Sequence, residues 1–285
     1  VAKMRRLTRY AVVLATVAGL GACTSVKEFF TGPPEKSVEE LTASEIYERG
    51  QAQLAAGSEV AAARTFNEIE RLYPFSQFAK RANIMSAYAS YEGGQYTDAR
   101  SAARRYVELY PSDEDAAYAQ YIIALTYYDN ISDVGRDQNI TRNALQELTE
   151  VVRRYPNSDY ARDAALKIDL TLDHLAGKEM EIGRYYLKRG HYSSAINRFK
   201  VVVDEYQTTS QAPEALHRLT EAYLALGLER EAIASAAVLG HNYPGSDWYV
   251  ASYELLTGRD IVPDNDEADG FFSRVYRQVI QGKWL

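Results

Sequence analysis

Apolar residues recur at intervals of three and four along most of this chain, as in Phe66, Ile69 and Leu72, which predicts helices rather than strands. The helices follow one register. Tyr-Pro occurs at Tyr73-Pro74, Tyr110-Pro111, Tyr155-Pro156 and Tyr243-Pro244, with a degenerate copy at Tyr206-Gln207. Twelve residues before each Pro, or before Gln207, stands an alanine: Ala62, Ala99, Ala144, Ala195 and Ala232. Five residues before four of these stands a glycine: Gly57, Gly94, Gly190 and Gly227. Two residues after the Pro or Gln comes a helix-capping type, Ser76, Asp113, Ser158, Thr209 or Ser246. Five residues after it comes Ala79, Ala116, Ala161 or Ala212, and Tyr249 in the last copy.

Each mark has a physical role. The glycine permits a tight turn between antiparallel helices, and the alanine lets the second helix approach the first closely. Proline stops that helix because it cannot donate to the hydrogen-bond ladder, and the capping residue satisfies the exposed amides of the next. Successive alanines lie 37, 45, 51 and 37 residues apart. The pattern resembles the tetratricopeptide repeat, a helix pair of about 34 residues, with Gly50, Ala62, Phe66 and Pro74 marking the first copy. It predicts an all-α solenoid of about five helix pairs over residues 41–250, with an extended concave surface. The 45-residue interval predicts a loop near Asn130–Asn139, and the 51-residue interval longer helices between Tyr160 and Lys188.

The first residues break the pattern. Lys3, Arg5, Arg6 and Arg9 precede an apolar run of 11 residues, Tyr10–Leu20. That is short of the roughly 20 needed to span a bilayer but fits the apolar core of a signal peptide, about 7–15 residues. The run ends Leu20-Gly21-Ala22-Cys23, which resembles a bacterial lipoprotein box cut before the cysteine. The resemblance implies removal of residues 1–22 and diacylglyceryl and N-acyl groups on Cys23, with Thr24 favouring export to the outer membrane. Residues 23–40, with Gly32-Pro33-Pro34, read as a tether. Cys23 is the only cysteine of the 285 residues, so no intrachain disulfide holds the fold. The net charge of −7 becomes −11 without residues 1–22, which argues against a nucleic-acid partner.

No catalytic signature is present: neither a phosphate loop, a dinucleotide fingerprint, a nucleophile elbow nor a His-Glu-x-x-His motif. His174, His191, His217 and His241 lie apart, without ligand spacing, and read as surface or helix-end residues. Asp113-Glu114-Asp115 reads as a helix start, Asp264–Glu267 as solvated tail, and no metal site or cofactor is expected beyond the lipid on Cys23. Tyrosine stands out, with 23 of the 33 aromatic residues. Tyr47, Tyr88, Tyr91, Tyr121 and Tyr128 fall on the first helices of the early repeats. Two readings stand: rings filling contacts between repeats, or an aromatic-lined groove for an extended or C-terminal peptide. Arg81, on the helix of Tyr88 and Tyr91, is the candidate partner for a carboxylate.

From about Leu41 to Leu228 the chain resembles the BamD (ComL) family, lipoproteins of the outer-membrane β-barrel assembly machine. The resemblance rests on Tyr73-Pro74-Phe75-Ser76, on Tyr155-Pro156-Asn157-Ser158-Asp159-Tyr160, and on Asp173-His174-Leu175-Ala176 through Tyr185-Tyr186-Leu187-Lys188-Arg189-Gly190. It implies a non-enzymatic scaffold held at the periplasmic face of the outer membrane. Early repeats would receive unfolded β-barrel proteins, and late ones would dock the barrel subunit BamA beside other subunits. A pilotin or pilus-assembly repeat lipoprotein is the alternative. Residues 251–285 extend past the matched region, with Phe271, Phe272, Val275, Tyr276 and Val279 spaced as an amphipathic helix that would cap the solenoid or meet a partner.

Overall fold

The computed structural model describes residues 37–259. The expected signal peptide, Cys23, nearly all of the tether, and the tail helix over 271–279 lie outside the described residues. Eleven α-helices follow a short 3-10 turn, Val38–Glu40, and no strand occurs among the described residues. The first pair is α1 (Ala43–Ala55) with α2 (Glu59–Leu72), the second α3 (Ala79–Glu92) with α4 (Tyr96–Leu109), and the third α5 (Ala116–Tyr128) with α6 (Asn139–Arg154). Helix α7 (Asp159–Lys188) opens the fourth pair with α8 (Tyr192–Glu205). The fifth is α9 (Ala212–Ala225) with α10 (Glu229–Asn242), and α11 (Asp247–Thr257) follows.

The register marks do what their chemistry suggests. Gly57, Gly94, Gly190 and Gly227 have φ between +69° and +74°, the left-handed region that closes a helix. After each, an amide reaches back to the last helical turn: Ser58 to Gln53 O and Gln95 to Ser90 O at 2.8 Å, His191 to Tyr186 O at 3.0 Å, Leu228 to Tyr223 O at 2.9 Å. The five alanines are fully buried at the contact between paired helices. Gly50 and Gly183, each seven residues before a turn glycine, meet the ring of Phe66 or Phe199 so closely that an added Cβ would sit 2.6 or 2.4 Å from it. No other residue type permits that approach.

The capping expectation holds only in part. Ser158 Oγ accepts from Ala161 N at 3.1 Å, and Ser246 Oγ from Trp248 N at 3.2 Å. In the other three turns the helix starts later, and the main-chain carbonyls of Ser76, Asp113 and Thr209 accept from Ala79, Ala116 and Ala212 instead. The Asp113 carboxylate accepts from Lys80 Nζ, from the Tyr106 hydroxyl and, at 3.1 Å, from the amide of Asp115, the residue just before the helix, and the Thr209 hydroxyl donates to Tyr206 O.

Successive first helices touch, α3 with α5, α5 with α7 and α9 with α11, whereas successive second helices make no contact of comparable extent. The first helices therefore line the inner, concave side. The 30 residues of α7 make a rod about 45 Å long. Its first half packs on α5 and α6 through Ala161 and Ala164, and its second half on α8 through Ala176, Met180 and Gly183, reaching α9 by the ion pair of Arg184 with Glu214 at 2.9 Å. The 129–138 loop, where an insertion is expected, braces this helix. Buried Gln138 donates to Val134 O and Arg136 O and accepts from Thr141 Oγ1 and His174 Nδ1, while Lys178 Nζ donates to Gly135 O at 2.9 Å. The two departures from a regular repeat thus meet in space.

Candidate functional site

The inner face of the first three pairs holds the residues singled out from sequence, but does not gather them all. Arg81 and Tyr88, with Ile84 and Met85 between them, share one face of α3 by their i, i+3, i+4, i+7 spacing. With Asp115 and Tyr118 from the start of α5 they line a cleft of about 310 Å³. The walls combine a guanidinium, a carboxylate, two phenol rings and an adaptable methionine. Nothing in this set pairs a nucleophile with a base. The arrangement suits binding of a peptide segment carrying both apolar and charged groups.

Tyr47 is not part of this surface. It is only 6% exposed, with its ring 5.5 Å from Phe66 and 5.6 Å from Phe78, so it belongs to the core of the first pair. The Arg81 guanidinium lies 5.9 Å above that ring, which links the core to the cleft. Tyr121 also leaves the groove: it is 9% exposed, its ring lies 5.4 Å from Tyr160, and its hydroxyl donates to Asp163 on α7. Lys167 holds the same carboxylate at 2.6 Å and keeps it below its ordinary range, with the Tyr121 hydroxyl adding to the effect. Tyr91 is half-buried, one turn beyond Tyr88, and donates to Asp129 at the end of α5. Burial, reinforced by these carboxylates, pushes the Tyr91 and Tyr121 phenols upward, so both stay protonated donors. Tyr128 stands under the Lys167 ammonium at 5.5 Å.

The tyrosines therefore divide between two settings. Tyr47, Tyr91 and Tyr121 tie helices together, and Tyr88 lines the cleft with Arg81. Sequence reasoning missed Tyr118, Met85 and Asp115. Tyr118 occupies in α5 the register position of Arg81 in α3, two residues after the alanine that opens each helix, a signal present in the repeat itself. Asp115 looks equivalent to Asp113 in sequence, but Asp113 is engaged away from the cleft, where Lys80 first, and Tyr106 with it, hold its carboxyl down at about 2.

Among the described residues no group of three or more His, Cys, Asp or Glu is placed to hold a metal ion, and no helix is long and apolar enough to cross a membrane. His191 and His241 are exposed near helix ends as expected. His217 corrects that expectation: it is buried between α9 and α11, with Nδ1 2.8 Å from Ser252 Oγ and its ring 5.2 Å from Trp248. His174 is half-buried against Gln138.

These features define a class, a helical-repeat scaffold with a peptide-sized cleft on its inner face. Comparison with known proteins narrows it. The family YfiO, described as "Outer membrane lipoprotein", matches residues 39–239. An outer membrane protein assembly factor BamD of Caulobacter vibrioides is 46% identical over 89% of this chain and 81% of its own length. The BamD of Rickettsia prowazekii is 40% identical over 89% of this chain and 98% of its own length, and that of Neisseria meningitidis serogroup A 28% identical over 85% and 95%. The chain belongs to the BamD family.

Proposed function

We propose that this protein is a lipid-anchored, non-catalytic scaffold in the assembly of outer-membrane β-barrel proteins. Acyl groups on Cys23 hold it at the periplasmic face of the outer membrane. Two or more chains suffice for stable anchoring, where one does not. The cleft between α3 and α5 captures a segment of an unfolded barrel protein, and the α8–α11 array docks the barrel subunit BamA. Family membership supports the assembly role, and relatives named as assembly factors span most of the chain. The observation that carries the capture step is the cleft itself, where Arg81 and Tyr88 face Asp115 and Tyr118.

A fluorescence titration with peptides from barrel-protein C-termini tests that step. Tyr88→Ala is expected to weaken binding about tenfold, on the scale of a buried aromatic anchor, with thermal stability near that of the parent. Tyr91→Ala is expected to act through stability, because its hydroxyl is bonded to Asp129. Unchanged affinity in Tyr88→Ala would remove the cleft from the mechanism. Affinity purification from detergent-solubilised envelopes tests the assembly role separately: a co-purifying β-barrel subunit with periplasmic domains is the expected result.

A further inference from the structure

The cleft between α3 and α5 carries two opposite charges, and among the described residues neither Arg81 nor Asp115 has an ion-pair partner, in the other or elsewhere. The charges around them are engaged: Lys80 with Asp113 at 2.5 Å, Arg105 with Glu70 at 2.9 Å, and Arg71 with Glu68 and Glu39. We propose that the cleft is a two-charge subsite for the captured segment. Arg81 takes a carboxylate, Asp115 takes a lysine or arginine side chain, and Tyr88 and Tyr118 hold the apolar residue between them. This rests on the capture reading above and names the chemistry of what is captured.

Each charge sits beside aromatic surface that suits such a ligand. The Arg81 guanidinium lies over the Tyr47 ring, which orients a planar fork able to bind a carboxylate through two hydrogen bonds. On the other wall the Tyr118 ring stands 5.1 Å from that of Tyr160. Burial raises the Tyr118 phenol above its ordinary value, and Glu92 and Asp115 are among the groups that add to the effect, so this wall carries negative potential. A carboxylate beside phenol rings is a seat for an ammonium or guanidinium. The apolar stem of a basic side chain can lie along Tyr118 while its head reaches Asp115.

The next gap along the inner face shows the same chemistry completed from within. Between α5 and α7, the Lys167 ammonium lies 5.9 Å from the Tyr121 ring and 5.5 Å from the Tyr128 ring, and it donates to Asp163 at 2.6 Å. Lys167 stands six residues after the alanine mark Ala161, and the same step from Ala116 reaches Ile122, which is fully buried. Helix α5 therefore supplies no cation to the α3 gap at that position. Lys80, whose charge is felt by Asp115, is bonded to Asp113 instead. A basic side chain from the captured segment would complete in this gap what Lys167 completes in the next.

Fluorescence titration of the full chain with synthetic peptides tests this. Each peptide carries a phenylalanine flanked by one lysine and one aspartate, in either order, with neutral versions in which glutamine replaces the lysine or asparagine the aspartate. Neutralising either charge is expected to weaken binding about three- to fivefold at low salt, and the difference should shrink at about 1 M salt. In Asp115→Asn, which keeps a helix-capping side chain, replacing the lysine should have no further effect while replacing the aspartate still does. Arg81→Gln should show the reverse. Comparing free and amidated C-termini tells a terminal carboxylate from an acidic side chain at Arg81. Equal affinity for charged and neutral peptides, with binding still lost in Tyr88→Ala, overturns this proposal and leaves the capture reading standing. Charge dependence that survives unchanged in both Asp115→Asn and Arg81→Gln overturns it too, since the charges are then read elsewhere. Binding of no peptide, or binding indifferent to Tyr88→Ala, overturns the capture reading and this proposal with it.

Discussion

The two arrays flanking α7 share one register but join their inner helices by different chemistry. In the first, phenols donate to carboxylates across neighbouring repeats, Tyr91 to Asp129 and Tyr121 to Asp163. In the second, guanidinium groups make these links: Arg184 pairs with Glu214 at 2.9 Å, and Arg218 contacts Glu214, Glu221 and the Trp248 ring. A neutral phenol ring can be half-buried at little desolvation cost, whereas a guanidinium must keep its head paired or wet. The first array can therefore present an aromatic-walled cleft. The second presents a charged seam that links its inner helices. Identical backbone packing, Phe66 on Gly50 and Phe199 on Gly183, underlies both.

That shared packing offers the largest effect. Phe66→Ala and Phe199→Ala each empty a fully buried ring site and are expected to cost about 3–5 kcal/mol. Limited proteolysis should show cuts confined to the first array for Phe66→Ala and to the second for Phe199→Ala. Cuts throughout the chain in both variants would mean that α7 couples the arrays into one cooperative unit. Gln138→Ala tests that coupling directly. It leaves the buried Thr141 hydroxyl without its acceptor and half-buried His174 without its partner, at about 1–3 kcal/mol. Two separated transitions in urea, where the parent shows fewer, are the expected readout.

The smallest effect distinguishes the arrays by pH. Burial lowers the His217 pKa below its ordinary value, partly offset by Glu221, with Arg218 adding to the lowering. The unfolded chain then binds the proton more readily than the folded one. The contribution of neutral His217 is complete above about pH 6.5 and is lost as pH falls from there through the folded pKa. Protection of α11 amides should fall over that window in the parent and stay level in His217→Gln, while the first array is unaffected.

Much of this architecture is legible in the sequence. The four turn glycines, the five buried alanines, the loop near Asn130–Asn139 and the lengthened helix before Lys188 all followed from spacing, because each reports a local backbone requirement or a repeating contact. The candidate site was legible only by halves. Tyr88 and Arg81 line the cleft, but Tyr47 and Tyr121 look equivalent to them in sequence and are core. What separates them is whether a neighbouring helix covers the ring, and that depends on the displacement of each repeat against the next. The capping residues show the same limit: Ser158 and Ser246 cap by side chain while Ser76, Asp113 and Thr209 do not.

The sequence by itself determined the helices, their pairing and the family, since periodicity, turn glycines and proline stops act within a few residues of themselves. Only the tertiary structure decided which tyrosines line the cleft, that Gln138 braces α7, and that His217 is buried beneath α11. Those outcomes depend on burial and charge pairing between residues far apart in the chain, which are properties of neighbours in space.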